Sequence, residues 1–504
     1  MAEQITISPL TRIEGHLGVK VEVESNKVAR AYVSGEMFRG FEVILRGRDP
    51  LDAQHITQRI CGVCPVEHGV SSVLAQEMAF GLVPAENGRV VRNLIQGANY
   101  IASHITHFYL LSGLDFVDVA MITGYQGKDR GLLDLQAWVK AQLASHSVFP
   151  AAPFLPRYAG KYLQDPEANF GALRHYLDAL EMRALAQKMG AIFAGKLPHA
   201  ASLVPGGVTE KVTALKISQY GALLERLKTF IDESYLPDVV AVAGAFPEYF
   251  SMGQGCGNFL AYGAFPESAD GRSKLFPGGV LVGGKLQPLD PDVIREDVSR
   301  SYFSSASGRK PSEGETVAAP EKSGAYSWLK APRYREQVME VGPLARALVA
   351  YQDERQAAFK SSVDGLLKRI GREPKDLVSV MGRHAARALE CQRVAERCAE
   401  WLEQLVPDAP AFTDFTVPES GRGYGLTEAA RGALGHWLEI RGRKVSNYQC
   451  VVPTTWNCSP RDDQGIPGAV EQALVGTPVA DAQNPIEAAR VVRSFDPCLA
   501  CAVH

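Results

Sequence analysis

The sequence predicts an α+β fold that is mainly α, with a helix bundle at its centre. Three observations predict it. Apolar residues recur at helical spacing over several long stretches, a β-patterned segment precedes them, and a Gly-, Pro- and Ser-rich segment interrupts them. Ile5–Leu10, His16–Ser25 and Lys27–Gly35 alternate apolar and polar residues, are rich in β-branched side chains, and are joined at Ser25-Asn26 by a turn pair; they read as strands. Arg39–Asp49 reads as a short helix or turn, and Asp52–Phe80 as a helical segment broken by Cys61 and Cys64. Asn93–Leu114, Arg130–His146, Asn169–Phe193 and Glu210–Glu233 read as long helices, with breaks at Phe149–Pro156 and Leu203–Val208. Packed together they suggest a bundle. From Leu236 to Ser327 the Gly/Pro/Ser content predicts short strands and loops. Helices resume over Gly342–Leu405. Tyr424–Glu439 reads as a strand or turn leading to a further short element, Arg443–Val452 as a strand and Pro485–Ser494 as a helix. No fixed-period repeat is visible.

Length alone allows roughly three domain-sized units. No linker interrupts the 504 residues, so we expect one domain over 1–504. Its parts are a β-rich start (1–50), bundle helices (51–235), an irregular subdomain (236–330), and further helices with a C-terminal metal-binding part (331–504). With 46% hydrophobic and 22% charged residues the composition is that of a globular protein. Lys and Arg number 53 against 56 Asp and Glu, so the basic excess of a nucleic-acid binder is missing. No apolar run reaches the ~18 residues of a membrane span, and the first residues lack the pattern of a secretory signal.

Nine cysteines, an odd number in a long chain, argue against a disulfide framework. Cys256, Cys391, Cys398, Cys450 and Cys458 are scattered. The other four form two CxxC pairs at opposite ends, Cys61/Cys64 and Cys498/Cys501. Four thiolates suit zinc, an iron–sulfur cluster or another soft-tolerant metal. A structural zinc site is the plain reading of the bare pattern. Against it, structural zinc pairs usually sit close together in small modules, and a chain this long does not need a metal to bury a core. A fraying-prone terminus tied into a metal site points to chemistry or to a maturation step.

The flanking residues carry more. Arg39–Glu42 (RGFE), Gln58–Cys64 (QRICGVC) with His68, and Phe495–His504 (FDPCLACAVH) form a compound pattern. Thr11–His16, Arg92–Tyr100, Glu340–Arg346, Met381–Arg387, Glu428–Trp437 and Val451–Asn457 extend it over most of the chain. Together they resemble the large, catalytic subunit of [NiFe]-hydrogenases, close to the periplasmic uptake and selenium-containing branch, which Trp456–Asp463 also resembles. The resemblance implies a long antiparallel helix bundle with flanking β and α/β subdomains around a buried bimetallic site. It implies reversible heterolytic cleavage of H2 to protons and electrons.

By the same resemblance, Cys61 and Cys498 are terminal ligands of nickel, and Cys64 and Cys501 bridge nickel to iron. The iron carries CO and cyanide, which no residue supplies, so maturation proteins are implied. Glu14 matches the family's proton-gate glutamate beside a terminal cysteine, which is itself able to take a proton. Arg431 matches the arginine over the metals, where an always-charged guanidinium offsets anionic ligands. Thr454 matches a hydroxyl that hydrogen-bonds a cyanide. Ala430 departs from the pattern, since many members have Pro there, and this bears on packing around the diatomic ligands. Glu42, the backbone carbonyl of Cys450 and His504 match a magnesium site, held by iron in some members; oxygen donors suit a hard cation. Val63 and Leu111 match the inner end of a gas channel. His68, Asp496 and Arg59 are expected around the ligands, and His104 and His107 read as core histidines. Ser103 stands where some oxygen-tolerant members carry Asp.

The five remaining cysteines lack cluster spacing, so electrons are expected to pass to an iron–sulfur small subunit in a heterodimer. In exported members that subunit bears the signal, so a periplasmic location is expected here, with a cytoplasmic one as the alternative. A family C-terminal extension is cut after the residue matching His504 by an endopeptidase, so the chain reads as a mature form. Alternative readings are an H2-sensing relative with little turnover, a selenocysteine-type variant at position 498, and a structural zinc or iron–sulfur protein.

Overall fold

Strands β1 (Glu3–Ile7), β2 (Leu17–Glu24) and β3 (Lys27–Gly35) form an antiparallel sheet in the order β1-β2-β3. Ser25 and Asn26 turn between β2 and β3 with φ of 51° and 60°. This is the left-handed pair that a tight hairpin requires. This computed structural model describes residues 3–145 and 160–504; His146 and the break at Phe149–Pro156 lie outside them.

Helices α1 (Phe41–Ile44) and α2 (Ala53–Thr57) lead to the first cysteine pair, and α3 (Pro65–Phe80) and α4 (Glu86–Ile105) follow it. Next come α5 (Arg130–Ser145), α6 (Pro166–Ala194) and α7 (Ala214–Phe230). Each long helix has a local reason to start where it does. Asp165 accepts from the Glu167 and Ala168 amides before α6, with Pro166 at the first helical position. Thr213 caps α7 in the same way. Helices α4, α6 and α7 pack in sequence, and α11 (Val380–Gln404), capped by Ser379, closes on α4 and α7. Between them lie α8 (Leu236–Ala245), α9 (Pro343–Gln352) and α10 (Ala357–Arg369).

The expected irregular stretch begins at Phe246, not at Leu236: Leu236–Ala245 is helix α8. Pro237 removes one ladder hydrogen bond, but the π-helical turn Ile231–Tyr235 immediately before it absorbs the gap, so the helix continues. From there to Tyr334 the expected texture is seen. Seven strands, β6 (Phe259–Ala261) through β12 (Ala331–Tyr334), none longer than four residues, pair locally there among the described residues, while β4 (Leu203–Val204) and β5 (Gly207–Val208) pair with each other ahead of α7.

The segment read as a strand or turn at Tyr424–Glu439 is a full hairpin. Strands β13 (Ser420–Ala429), β14 (Gly432–Arg441) and β15 (Lys444–Val451) form an antiparallel sheet, with Ala430 and Arg431 as the two-residue turn. Helix α3 lies flat on β13 because Gly421, Gly423 and Gly425 line one face of the strand. A Cβ at Gly425 would come within 1.9 Å of the Ser71 carbonyl oxygen. The chain ends in α12 (Pro453–Asn457), α13 (Ala469–Leu474), α14 (Ile486–Ser494) and α15 (Leu499–Ala502). One apolar core cluster runs from Ile5 to Val503, and a smaller one centres on Tyr262, Trp437 and Trp456. No helix among the described residues is long and apolar enough to cross a membrane.

Gly425→Ala therefore tests the α3–β13 contact. We expect a loss of about 1–3 kcal/mol from overpacking, read as a lowered thermal midpoint. Gly365→Ala, in α10 where an added Cβ meets nothing within 4 Å, should instead gain about 0.5–1 kcal/mol. Equal effects at the two sites would show that the close approach is not what requires glycine.

Candidate metal centre

Each CxxC straddles the start of a helix, which turns both of its sulfurs to one side. Cys61 ends the 3-10 turn Gln58–Ile60 and Cys64 is the N-cap of α3; Cys498 is the N-cap of α15 and Cys501 lies within it. The four Sγ atoms lie within 4.8 Å of one another and all are buried. Cys61 is 3.3 Å from Cys498, while Cys64 and Cys498 are each 3.0 Å from Cys501.

So close a set cannot carry four bare negative charges in a low-dielectric core. Hydrogen bonds from Cys498, Cys501 and Cys64 pull the Cys61 thiol well below its ordinary value. Burial pushes Cys498 and Cys501 up. At Cys64 the bonds to Cys498 and Cys501 favour the thiolate, but the bond to Cys61 and burial outweigh them and push it up to about 11. One thiolate forms readily and the rest need a cation. Four soft donors around a common centre fit a thiophilic transition metal.

The N-terminal segment reaches this centre by pairing with the C-terminal one. The Leu499 amide donates to the Glu14 carbonyl at 2.9 Å, and the Glu14 amide to the Pro497 carbonyl at 3.3 Å. Gly15 (φ +81°) permits the approach, since a Cβ there would lie 2.7 Å from Leu499 Cβ. Glu14 Oε2 accepts from Cys498 Sγ at 3.1 Å and from the Ala500 amide at 2.9 Å. Burial and the neighbouring Cys61 hold the Glu14 carboxyl above its ordinary value. The Cys498 amide donates to Thr454 Oγ1 at 2.9 Å.

Arg431 sits at the tip of the buried β13–β14 hairpin. Its Nε donates to the Asp496 carbonyl at 3.1 Å, its Nη2 lies 3.0 Å from Asp496 Oδ1, and its Nη1 is 3.5 Å from Ser103 Oγ. A second guanidinium clamps the turn from behind. Arg346 donates to the Ala429 and Ala430 carbonyls, to Glu428, and to both oxygens of Glu390 at 2.6 and 2.7 Å. Glu14, Val63, Ser103, Leu111 and Arg431 line one cavity of about 180 Å³.

His68 Nε2 lies 3.4 Å from Cys501 Sγ, and its Nδ1 is 3.1 Å from His436 Nε2. His436 in turn meets the Tyr448 hydroxyl at 2.8 Å. Burial pushes His68 down to about 3, so its ring is neutral. Glu42 gathers a second group. It accepts from the Cys450 amide at 2.7 Å, from Lys330 at 3.1 Å and from Thr316, while His504 Nε2 lies at 3.2 Å. The Cys450 thiol is within 4.8 Å of the Glu42 and His504 donors. Burial opposes ionisation of Glu42, yet Lys330 and His504 hold its carboxyl well below the usual range.

The structure thus brings Cys61, Cys64, Cys498, Cys501, Glu14, Arg431 and Thr454 to one centre, and Glu42, Cys450 and His504 to another. Asp496 and His68 border the first. Arg59, expected there, is exposed and contributes no side-chain contact to the thiols: it lies on the outer face of the 3-10 turn whose inner face leads into Cys61. His104 and His107 are buried, paired with Glu390 at 2.9 Å and with the Arg493 carbonyl at 2.7 Å. Sequence reasoning missed Lys330, Thr316, His436, Tyr448 and Arg346. Arg346 and His436 lie inside the quoted motifs Glu340–Arg346 and Glu428–Trp437, which gave them no role, whereas no local spacing marks Lys330 and Thr316, whose partner Glu42 is remote in the chain.

A family model described as nickel-dependent hydrogenase matches residues 39–504, and one described as HoxL-like matches residues 4–34. The chain is 42% identical to the periplasmic [NiFeSe] hydrogenase large subunit of Desulfomicrobium baculatum, over 99% of this chain and 95% of that protein. It is 37% identical to the uptake hydrogenase large subunit of Bradyrhizobium diazoefficiens, over 100% and 95%. Among solved structures, an H2-activated [NiFeSe]-hydrogenase from Dm. baculatum superposes with a TM-score of 0.90 at 43% identity, covering 100% of both chains.

Removing the clamp behind Arg431 has a defined sign. Burial opposes ionisation of Glu390, but Arg346 and His104 hold it down to about 2. A depressed carboxyl contributes stability that is present above its unfolded value, about 4.3, and is lost as pH falls towards 2. We expect Arg346→Met to cost about 3–5 kcal/mol at pH 7, as a broken buried pair does. The gap to the unmodified protein should narrow as pH falls from about 4.3 towards 2. Urea midpoints at several pH values measure it, and a pH-independent gap would contradict the pairing.

Proposed function

The chain belongs to the nickel-dependent hydrogenase family, and from that premise we propose how its residues hold and serve a nickel–iron centre. It is the large, catalytic subunit of a hydrogenase, an oxidoreductase that cleaves H2. One observation carries the proposal: four cysteines from opposite ends of the chain meet within 4.8 Å, and a buried carboxyl lies 3.1 Å from one of them.

Cys61, Cys64, Cys498 and Cys501 would hold a nickel–iron pair, with Cys61 and Cys498 serving nickel alone and Cys64 and Cys501 serving both metals, the iron carrying CO and cyanide. When bound, the metal pair supplies the redox-active, Lewis-acidic centre for heterolytic cleavage. The chain's own residues manage the proton. The Cys498 thiol gives it to Glu14 across 3.1 Å: the S–H bond breaks and an O–H bond forms on Oε2. Burial makes Glu14 a better resting place for that proton than an exposed carboxylate. Arg431 keeps a fixed positive charge over the site, aimed by Asp496 and Ser103. Thr454 orients the Cys498 amide, and its hydroxyl would serve a cyanide on the iron. The His68 ring is hydrogen-bonded to the sulfur of Cys501, as groups behind metal ligands are. The cavity past Val63 and Leu111 admits gas to Glu14 and Arg431.

Glu42 and His504, with the backbone carbonyl of Cys450, would hold magnesium or iron, and Lys330 lies beside Glu42. The 504 residues act as one domain. The electrons pass to an iron–sulfur small subunit, and the pair is exported to the periplasm after maturation proteins and a C-terminal endopeptidase have acted. The relatives named above are periplasmic and uptake enzymes, which favours turnover over sensing. The sequence carries Cys at 498, the sulfur form of the site.

Infrared spectra of the purified heterodimer should show metal-bound CO and cyanide bands that shift under H2. Zinc in place of those bands would overturn the reading. Cys61→Ser and Cys498→Ser should each lose nickel and the bands together. Glu14→Gln should keep both, while dye-linked H2 oxidation falls on the order of 100- to 10,000-fold, the usual weight of a positioned proton acceptor. Unchanged turnover in Glu14→Gln would remove Glu14 from the proton path.

A further inference from the structure

Three segments around Cys498 converge on one buried carboxylate to which the mechanism above gives no part. Asp115 follows the π-helical segment Thr106–Ser112, and its side chain is 1% exposed. It receives two guanidinium groups from opposite ends of the chain. Arg493, in the last turn of α14, donates from Nη1 to its two oxygens at 2.7 and 2.9 Å. Arg12, two residues before Glu14, donates to Oδ1.

The same two arginines reach the flanking backbone. Arg12 Nη1 donates to the Leu111 carbonyl at 2.7 Å. Arg493 Nε donates to the Thr11 carbonyl at 3.0 Å, and its Nη2 to Thr11 Oγ1 at 3.2 Å. Arg490, one turn earlier in α14, donates to the Asp115 carbonyl. Asp115 therefore locks together the segment carrying Glu14, the π-helical wall containing Leu111, and the helix that runs into Cys498.

Burying these charges is costly, and their attraction does little more than offset it. What the cluster supplies is geometry. Glu14 and Cys498 belong to segments joined directly by two backbone hydrogen bonds and by the Ala500 amide on Glu14 Oε2, a short junction whose register also depends on what holds the segments from outside. Proton transfer is steep in distance, and an ångström of misplacement costs on the order of 100-fold.

We propose that Asp115 is a positioning residue for H2 turnover: by holding Arg12 and Arg493 together it sets the contact between Glu14 and Cys498 across which the proton leaves. This rests on the roles given above to those two residues.

The test separates proton exit from H2 cleavage in the purified heterodimer. Conversion of para-hydrogen reports cleavage and re-formation of the H–H bond. Isotope exchange with D2O reports protons that have left the site. In Asp115→Asn and Arg12→Gln we expect nickel content and para-hydrogen conversion to persist while exchange falls about tenfold, less than the cost of a full ångström. Asp115→Glu, which keeps the charge, should recover most of the exchange. Arg12 lies at the edge of the cluster, with a side chain 10% exposed. Its variant therefore decides alone should Asp115→Asn fail to fold. Exchange that falls only in proportion to para-hydrogen conversion or to nickel content would make Asp115 a structural staple and overturn the proposal. An unmodified heterodimer that shows neither reaction would instead contradict the hydrogenase assignment of the site.

Discussion

Four sulfurs drawn from the two ends of one chain must meet within 4.8 Å in a core that excludes water. Little else in the fold makes sense without that constraint. Each sulfur pair must enter on a rigid element, which is why each CxxC opens a helix. The two ends must also be brought into register. The Glu14–Leu499 and Pro497–Glu14 backbone bonds do this locally, with Gly15 permitting the approach. Asp496, at φ 57°, turns the chain from α14 towards Cys498 and partners Arg431 in the same step.

Around that junction the protein spends an unusual number of buried ion pairs. Arg346 binds Glu390 and Glu428, Arg383 binds Glu340, Arg333 binds Asp462, Arg92 binds Glu77, and Arg493 binds Asp115. Well-packed apolar residues would stabilise a core at least as well. These pairs instead fix direction, because a bidentate guanidinium accepts only one geometry. Arg346 shows the use. By donating to the Ala429 and Ala430 carbonyls it determines where Arg431 points, although it touches none of the cysteines.

How legible all this was in the sequence follows the range of each interaction. The long helices and the N-terminal strands were legible because their periodicity and caps are local, as at Thr213 and at Ser25-Asn26. The cysteine pairs were legible because two short motifs carry a spacing. Helix α8 was absorbed into the Gly-, Pro- and Ser-rich stretch that follows it, since no local pattern announces the π turn that carries the helix past Pro237. The β13–β14 hairpin was blurred because its glycines read as loop, whereas they are the surface on which α3 lies. Lys330 and Thr316 were hidden because they reach Glu42 from a segment whose composition says only that it is irregular. Arg59 shows the opposite error. Nearness in sequence to Cys61 did not put its side chain on the inner face of the turn.

The two sides of the thiol cluster differ in proton character, and that asymmetry bears on direction. Beside Cys498 the carboxyl of Glu14 is raised above its ordinary value by burial and by Cys61. Beside Cys501 stands His68, pushed by burial down to about 3, backed by His436, which burial also pushes down. Imidazoles held neutral in this way do not store a proton near neutral pH. In the proposed mechanism a proton generated at the cluster leaves over Glu14, while the His68–His436–Tyr448 chain holds its place beside the Cys501 sulfur. One fold separates the two tasks by giving one side a carboxyl raised by burial and the other a histidine lowered by it, so that the same desolvation drives both.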